Sequence, residues 1–280
     1  MRKKRVWLAI LVLGALLLFA AGCGQKQAEK FTVATGSTLI ADIVRAVGGE
    51  KVDVSNIVPP GTCPGHFDLK PDDVRKLASA KLLLYHDWQG NTFNKSVLAS
   101  AGNKELVAVP VAVAGNWMAP PVQKEAIKRI AQILGEKDAA NKAYYEENAE
   151  RLMATVTDEE RKLKERLQSA KVAGRKVICA EMQAGFLKWA GFDVVATYGR
   201  PEDLTPKKLQ ELIEKGKAQG VGLIVDNLQS GPDAGKGLAE ELGAARVTLS
   251  NFPGGFAGTE TWKAAVEKNV DLLLSALKGK

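Results

Sequence analysis

Eight short β-rich runs alternate with helix-like stretches along this 280-residue chain, and the alternation stops once, over residues 122–170. Few folds other than α/β with parallel sheets accommodate that order, because parallel neighbours need a long crossover between them. The runs fall at 31–35, 52–58, 81–85 and 106–111, the last weakened by Pro110, then at 176–180, 193–197, 221–225 and 245–249. Helical spacing is predicted over 39–47, ended by Gly48 and Gly49, and over 71–79, which opens on Pro71 and two acids as a helix start should. In the second half, helices are predicted over 185–190, over 205–219 with Thr205 as N-cap, and over 235–242 and 259–277.

The interrupting stretch is rich in Ala, Glu, Lys and Leu, with a break expected near Gly135. From 138 to 169 it makes one helix of roughly 45 Å at 1.5 Å per residue. That length exceeds what one lobe needs and suits a connector, residues 138–170, between an N-terminal lobe (31–137) and a C-terminal lobe (171–280). A coiled-coil dimer segment is the other reading, but the apolar spacing is not a sustained heptad. Ligands of such sheets sit beyond the carboxyl ends of the strands, so the cleft between the lobes is the expected binding place.

The chain opens with four basic residues, Arg2 to Arg5, then an unbroken apolar run to Gly22 and a cysteine, Cys23. This is the layout of a secretory signal over 1–22. Ala20-Ala21-Gly22-Cys23 resembles the bacterial lipobox, which implies cleavage before Cys23 and lipidation of its sulfur. An uncleaved anchor is the alternative, but the run is marginal for a span. Residues 23–30 read as a polar tether between lipid and fold.

Removing the signal removes four basic residues and leaves 35 Lys+Arg against 32 Asp+Glu. Such a balance gives no argument for nucleic-acid binding. Cys63 and Cys179 remain beyond Cys23, which is no disulfide framework; outside the cytoplasm the two thiols pair, bind metal or stay buried.

Residues 41–73 (ADIVRAVGGEKVDVSNIVPPGTCPGHFDLKPDD) resemble the opening of the cluster A-I solute-binding proteins, the zinc and manganese receptors of ABC importers. Asn116 to Pro121 (NWMAPP), Tyr144 to Leu152 (YYEENAERL), Ala184-Gly185-Phe186 and the closing helix extend the resemblance over nearly all the mature chain. It implies two α/β lobes joined by a rigid helix, metal held between them, an ABC permease as partner, and a monomer held at the outer face of the cell membrane or in the periplasm by lipid on Cys23. The family presents three histidines and a carboxylate. Alignment puts those positions at Gly65, Gly115, Glu181 and near Ser250 or Asn251, so Glu181 alone is a good ligand in place. Only two histidines exist in the whole chain, His66 and His86.

A changed ligand set is therefore expected. Cys63 and His66 share one loop, and Cys179 and Glu181 share another; two thiolates, an imidazole and a carboxylate suit a transition metal, zinc foremost, and suit Ca²⁺ or Mg²⁺ poorly. Loops that follow predicted strands add His86, Trp88, Trp117, Asp226, Gln229 and Asn251 as expected cleft residues. Their amides and aromatics also fit a metal chelate or another small organic solute bound without direct metal coordination. No phosphate-binding Gly loop, GxSxG or HExxH occurs, and Cys63 with His66 is weak support for a nucleophile, so no catalysis is expected.

Overall fold

A computed structural model describes residues 29–64 and 67–278, the side chains of 91–94 and 96 excepted. The expected signal, Cys23, most of the tether and His66 lie outside the described residues. Among the described residues no helix is long and apolar enough to cross a membrane.

The first four strands, β1 (Phe31–Thr35), β2 (Val52–Asn56), β3 (Leu82–His86) and β4 (Val107–Val111), make one parallel sheet in the order β2-β1-β3-β4. A second parallel sheet repeats that order as β6-β5-β7-β8, from β5 (Lys176–Ala180), β6 (Asp193–Tyr198), β7 (Leu223–Asn227) and β8 (Ala245–Leu249). Strand direction of winding reverses between β1 and β3, and again between β5 and β7; these are the switch points where crevices open. Pro110 is tolerated because β4 is an edge strand and needs fewer ladder N–H groups.

Strand side chains alternate between faces, and each sheet has two cores as a result. On one face Leu82 and Leu84 of β3, and Val177 and Cys179 of β5, join a single hydrophobic cluster that runs through both lobes. That cluster is completed by α1 (Thr38–Gly48), α4 (Pro120–Lys137), α5 (Lys142–Ser169), α6 (Ala184–Ala190) and α9 (Trp262–Lys278). On the opposite face of the first sheet, Leu83 and Tyr85 meet α2 (Pro71–Ser79) and α3 (Gly90–Ala101). The second sheet does the same with Ile178 and Ile224 under α7 (Pro206–Gln219) and α8 (Lys236–Leu242).

The strandless stretch over 122–170 is two helices. A short 3₁₀ turn, Ala139–Asn141, separates α4 from α5, so the break comes after Gly135 rather than at it. Asp138 fixes the corner, its carboxylate accepting from Asn141 and from the Tyr145 hydroxyl. Helix α5 is 28 residues, about 42 Å. It buries Tyr145, Ala149, Val156, Leu163 and Leu167 along one stripe. Asn148 near its start donates to the Val47 carbonyl of α1 (2.8 Å), and Arg166 near its end pairs with Asp271 of α9. The helix thus packs against the first lobe at one end and the closing helix at the other.

Candidate functional site: the cleft between the sheets

Both switch points face each other. β1 and β3 end at Thr35 and His86, β5 and β7 at Ala180 and Asn227. Each of β3 and β5 runs into a 3₁₀ turn with glutamine in third place, Asp87–Gln89 and Glu181–Gln183. Those glutamines are buried and tie strand ends together. Gln89 accepts from the His86 N–H (2.7 Å) and donates to the Gly36 carbonyl (3.3 Å). Gln183 donates to Asn227 Oδ1 (3.0 Å) and the Leu249 carbonyl (3.4 Å). The middle residues of the same turns, Trp88 and Met182, are 56% and 57% exposed, and with Val107 they are the exposed large apolar side chains among the described residues.

The lobes touch through polar contacts. Asn116 Nδ2, beyond β4, donates to the Met182 carbonyl (2.7 Å) and to Asn251 Oδ1 (3.0 Å). Gln229 Nε2, beyond β7, donates to the Pro60 carbonyl (2.8 Å) and to Ser250 Oγ (2.9 Å). Thr38 donates to the Pro253 carbonyl (2.7 Å), and the Trp262 indole to the Trp117 carbonyl (3.0 Å).

Two chambers remain, and Trp88 and Met182 line both. The larger has a volume of about 260 Å³. Cys63, Pro64 and Gln89 face it from the first lobe; Glu181, Arg200, Asn227, Gln229 and Ser230 face it from the second. Arg200 Nη2 donates to Cys63 Sγ across the gap (3.1 Å). The smaller, about 80 Å³, is walled by His86, Trp117, Asn116, Asn251 and Phe252. A wider groove of about 560 Å³ runs along α4 and α5, lined by both charged and apolar side chains of those helices, among them Lys128, Glu146 and Met153.

His86 is buried at the head of the small chamber. Its Nε2 lies 2.8 Å from Ser37 Oγ, and its Nδ1 has no hydrogen-bond partner. Trp88 stacks on the ring at 5.0 Å and Trp117 meets it edge-on at 4.4 Å. Burial pushes the imidazole down to about 3, so it is neutral at physiological pH.

Two expected cleft residues are placed elsewhere, and alternation along the strands explains both. Cys179 shares the face of Val177, fully buried in the common core, where desolvation lifts its thiol to about 12. It is a core residue, not a donor in the cleft, and it is not bonded to Cys63, since both thiols are free. Asp226 shares the face of Ile224 and is wholly enclosed. It accepts from the Tyr198 hydroxyl (2.6 Å), from Gly235 N–H (2.7 Å) and from Arg246 (2.7 Å). Its charge is spent within the lobe. Among the described residues no three His, Cys, Asp or Glu side chains converge as a metal cluster.

Other residues here escaped the sequence reading. Arg200 follows β6, a strand end given no cleft role. Asn116 sits inside a recognised motif but was counted for its tryptophan neighbour. Asn269 of α9 is fully buried and holds the loop after β8, accepting from Ser250 N–H (3.0 Å) and donating to the Ser250 carbonyl (2.7 Å). An asparagine between Val266 and Val270 on an apolar helix face is the signal that marks it. At Gly115, the family's second histidine position, the backbone takes φ +105°, a conformation that side chains rarely adopt.

Two parallel α/β lobes closing on a solute-sized cavity at paired switch points define a bilobal solute-binding protein. The family model for the zinc-uptake complex component A, periplasmic (ZnuA), matches residues 33–276, and the chain belongs to this family. It is 27% identical over 245 residues to the metal ABC transporter substrate-binding lipoprotein SsaB of Streptococcus sanguinis, covering 76% of this chain and 78% of that one. It is likewise 27% identical over 245 residues to the manganese ABC transporter substrate-binding lipoprotein PsaA of Streptococcus pneumoniae, with the same coverage. The Mn-bound periplasmic metal-binding protein of Candidatus Liberibacter asiaticus has the same fold, with a TM-score of 0.75 at 17% identity over 89% of this chain and 100% of that one.

Proposed function

We propose that this chain is the extracytoplasmic substrate-binding component of an ABC importer and carries a transition-metal ion between its lobes, zinc before manganese. Cys63 and Glu181 carry the reading: they come from opposite lobes and line one cavity. Membership of the ZnuA family and the names of the relatives support metal as cargo. They do not favour a solute bound without any metal–protein bond. A thiolate donor selects zinc over manganese, which prefers oxygen. His66, three residues after Cys63, is the third proposed donor.

Lipid on Cys23 holds the monomer near its permease, and the working cycle is capture, presentation and release, with no chemical step and no nucleic-acid partner. Because the thiol and imidazole must lose protons to bind metal, affinity falls as the medium turns acidic. Equilibrium dialysis of the mature protein against zinc and manganese, with Cys63→Ser and Glu181→Gln variants, tests the assignment. One equivalent of zinc, weakened at least about tenfold in each variant, is expected. Unchanged zinc affinity in both variants removes these residues from the site.

A further inference from the structure

The methionines of this chain differ sharply in exposure. There are four, of which Met1 lies outside the described residues. Met118 is wholly buried in the common core, and Met153 packs partly buried against it. Met182 is 57% exposed and stands in the 3₁₀ turn after β5, one residue beyond the proposed donor Glu181. Oxidation of a thioether by peroxide follows its access to solvent, so Met182 is open to it while Met118 is shielded and Met153 shielded in part.

The position of Met182 makes that reaction consequential. Its side chain lines both chambers of the cleft, as does Trp88 from the matching turn of the first lobe. Its backbone is pinned where the lobes meet: the Met182 carbonyl accepts from Asn116 Nδ2 (2.7 Å) and from Asn251 Nδ2 (3.3 Å). Those bonds hold the side chain at the cleft whatever its oxidation state. A thioether there is an apolar wall beside Glu181. A sulfoxide puts a strong dipole and a hydrogen-bond acceptor in the same place and draws water to it. The apolar shell around a metal site controls solvent access and local dielectric, so wetting that wall weakens the hold on a metal.

We infer that Met182 is a reversible oxidation site through which peroxide lowers the protein's affinity for its metal. The sulfur lone pair attacks one oxygen of hydrogen peroxide. The O–O bond breaks, an S–O bond forms, and the second oxygen leaves as water with both protons. Sulfur gives up two electrons and peroxide accepts them. Methionine sulfoxide reductases, with a dithiol as electron source, reverse the change. A member of a periplasmic family works in the oxidising compartment, beyond the cytoplasmic thiol pool. The loss of metal rests on the metal-cargo reading above; the selectivity of oxidation does not.

The test treats metal-free mature protein with hydrogen peroxide, then with dithiothreitol to return any disulfide or sulfenic acid at Cys63. Peptide mass spectrometry reads the oxidised positions, and equilibrium dialysis reads zinc. Met182 is expected to gain one oxygen first, Met153 more slowly and Met118 only after unfolding. Zinc affinity is expected to fall about tenfold as Met182 oxidises, and to recover with methionine sulfoxide reductases A and B. Met182→Leu has no thioether at this position; its affinity, whatever the starting value, is expected to be the same before and after peroxide. Met153→Leu is expected to respond as wild type does. Oxidation of Met153 or Met118 as fast as Met182 overturns the inference, and so does full zinc affinity in protein carrying Met182 sulfoxide. An equal fall in Met182→Leu also overturns it and assigns the loss to Cys63. Untreated protein that binds no zinc removes the metal reading and the inference together.

Discussion

Two residues at the end of one strand have opposite fates here. Cys179 precedes Ala180 and Glu181, yet alternation sends the thiol into the common core while the turn brings Glu181 to the cavity. The sequence marks both as metal-binding types; what separates them is where β5 ends, with Cys179 inside the strand under its helices and Glu181 in the turn beyond it. Alkylation with iodoacetamide, read by peptide mass spectrometry, is expected to modify Cys63 in the folded protein and to reach Cys179 only after unfolding. Equal labelling of the two in the native state contradicts the assigned faces. For Asp226 the expected loss is structural. Asp226→Asn leaves Arg246 without its buried partner and costs about 2–4 kcal/mol in urea unfolding, with zinc affinity unchanged.

His86 gives a pH signature at the same scale. Its folded value, about 3, lies below the ordinary 6.5. Between those limits the unfolded chain binds a proton that the folded chain refuses, so stability falls as pH drops from 6.5 towards 3, by ~1.4 kcal/mol per unit. His86→Gln keeps a side-chain amide but does not titrate. The difference in unfolding free energy between wild type and variant is expected to narrow on acidification; a constant difference across that window contradicts a neutral buried imidazole.

Elements were legible where packing and periodicity agree. Buried parallel strands read as short continuous apolar runs, and β1, β5 and β8 fall on the expected residues. Helix α3 was not legible: Gly90-Asn91-Thr92 and Asn94 have low helix propensity. Helix α9 begins three residues later than expected. Thr259 is held in a turn with Phe256, and the first helical N–H, at Trp262, is capped by Asp42 of α1 (2.9 Å), a partner distant in sequence. The same helix supplies Asn269, and Asn269→Ala strands the Ser250 N–H and carbonyl. A loss of about 2–4 kcal/mol is expected, with weaker zinc binding because the loop bearing Asn251 loses its anchor. Stability within error of wild type in thermal or urea unfolding contradicts that role.

At the scale of the molecule, the repeated strand order places two switch points opposite each other, and α5 runs past both lobes to meet α9. The interrupted alternation of strands and helices already implied that architecture, because so long a strandless stretch has no place inside one sheet. Chemical identity at the cleft was less legible. Glu181, Gln229 and Asn251 follow strand ends directly, whereas the Arg200–Cys63 contact joins residues 137 apart in sequence and depends on how the lobes meet. Lobe contact also explains the amides. Gln229 and Asn251 look like solute contacts in the sequence, but in the structure they hydrogen-bond across the gap, Gln229 to the Pro60 carbonyl and Asn251 with Asn116.

The central claim is a metal between Cys63 and Glu181. Anomalous diffraction at the zinc absorption edge, on crystals of the mature protein grown with zinc, tests it most directly. The account predicts one peak in the larger chamber, at about 2.3 Å from Cys63 Sγ and about 2.0–2.2 Å from a Glu181 oxygen. A peak confined to surface carboxylates, or an empty cleft at saturating zinc, contradicts it.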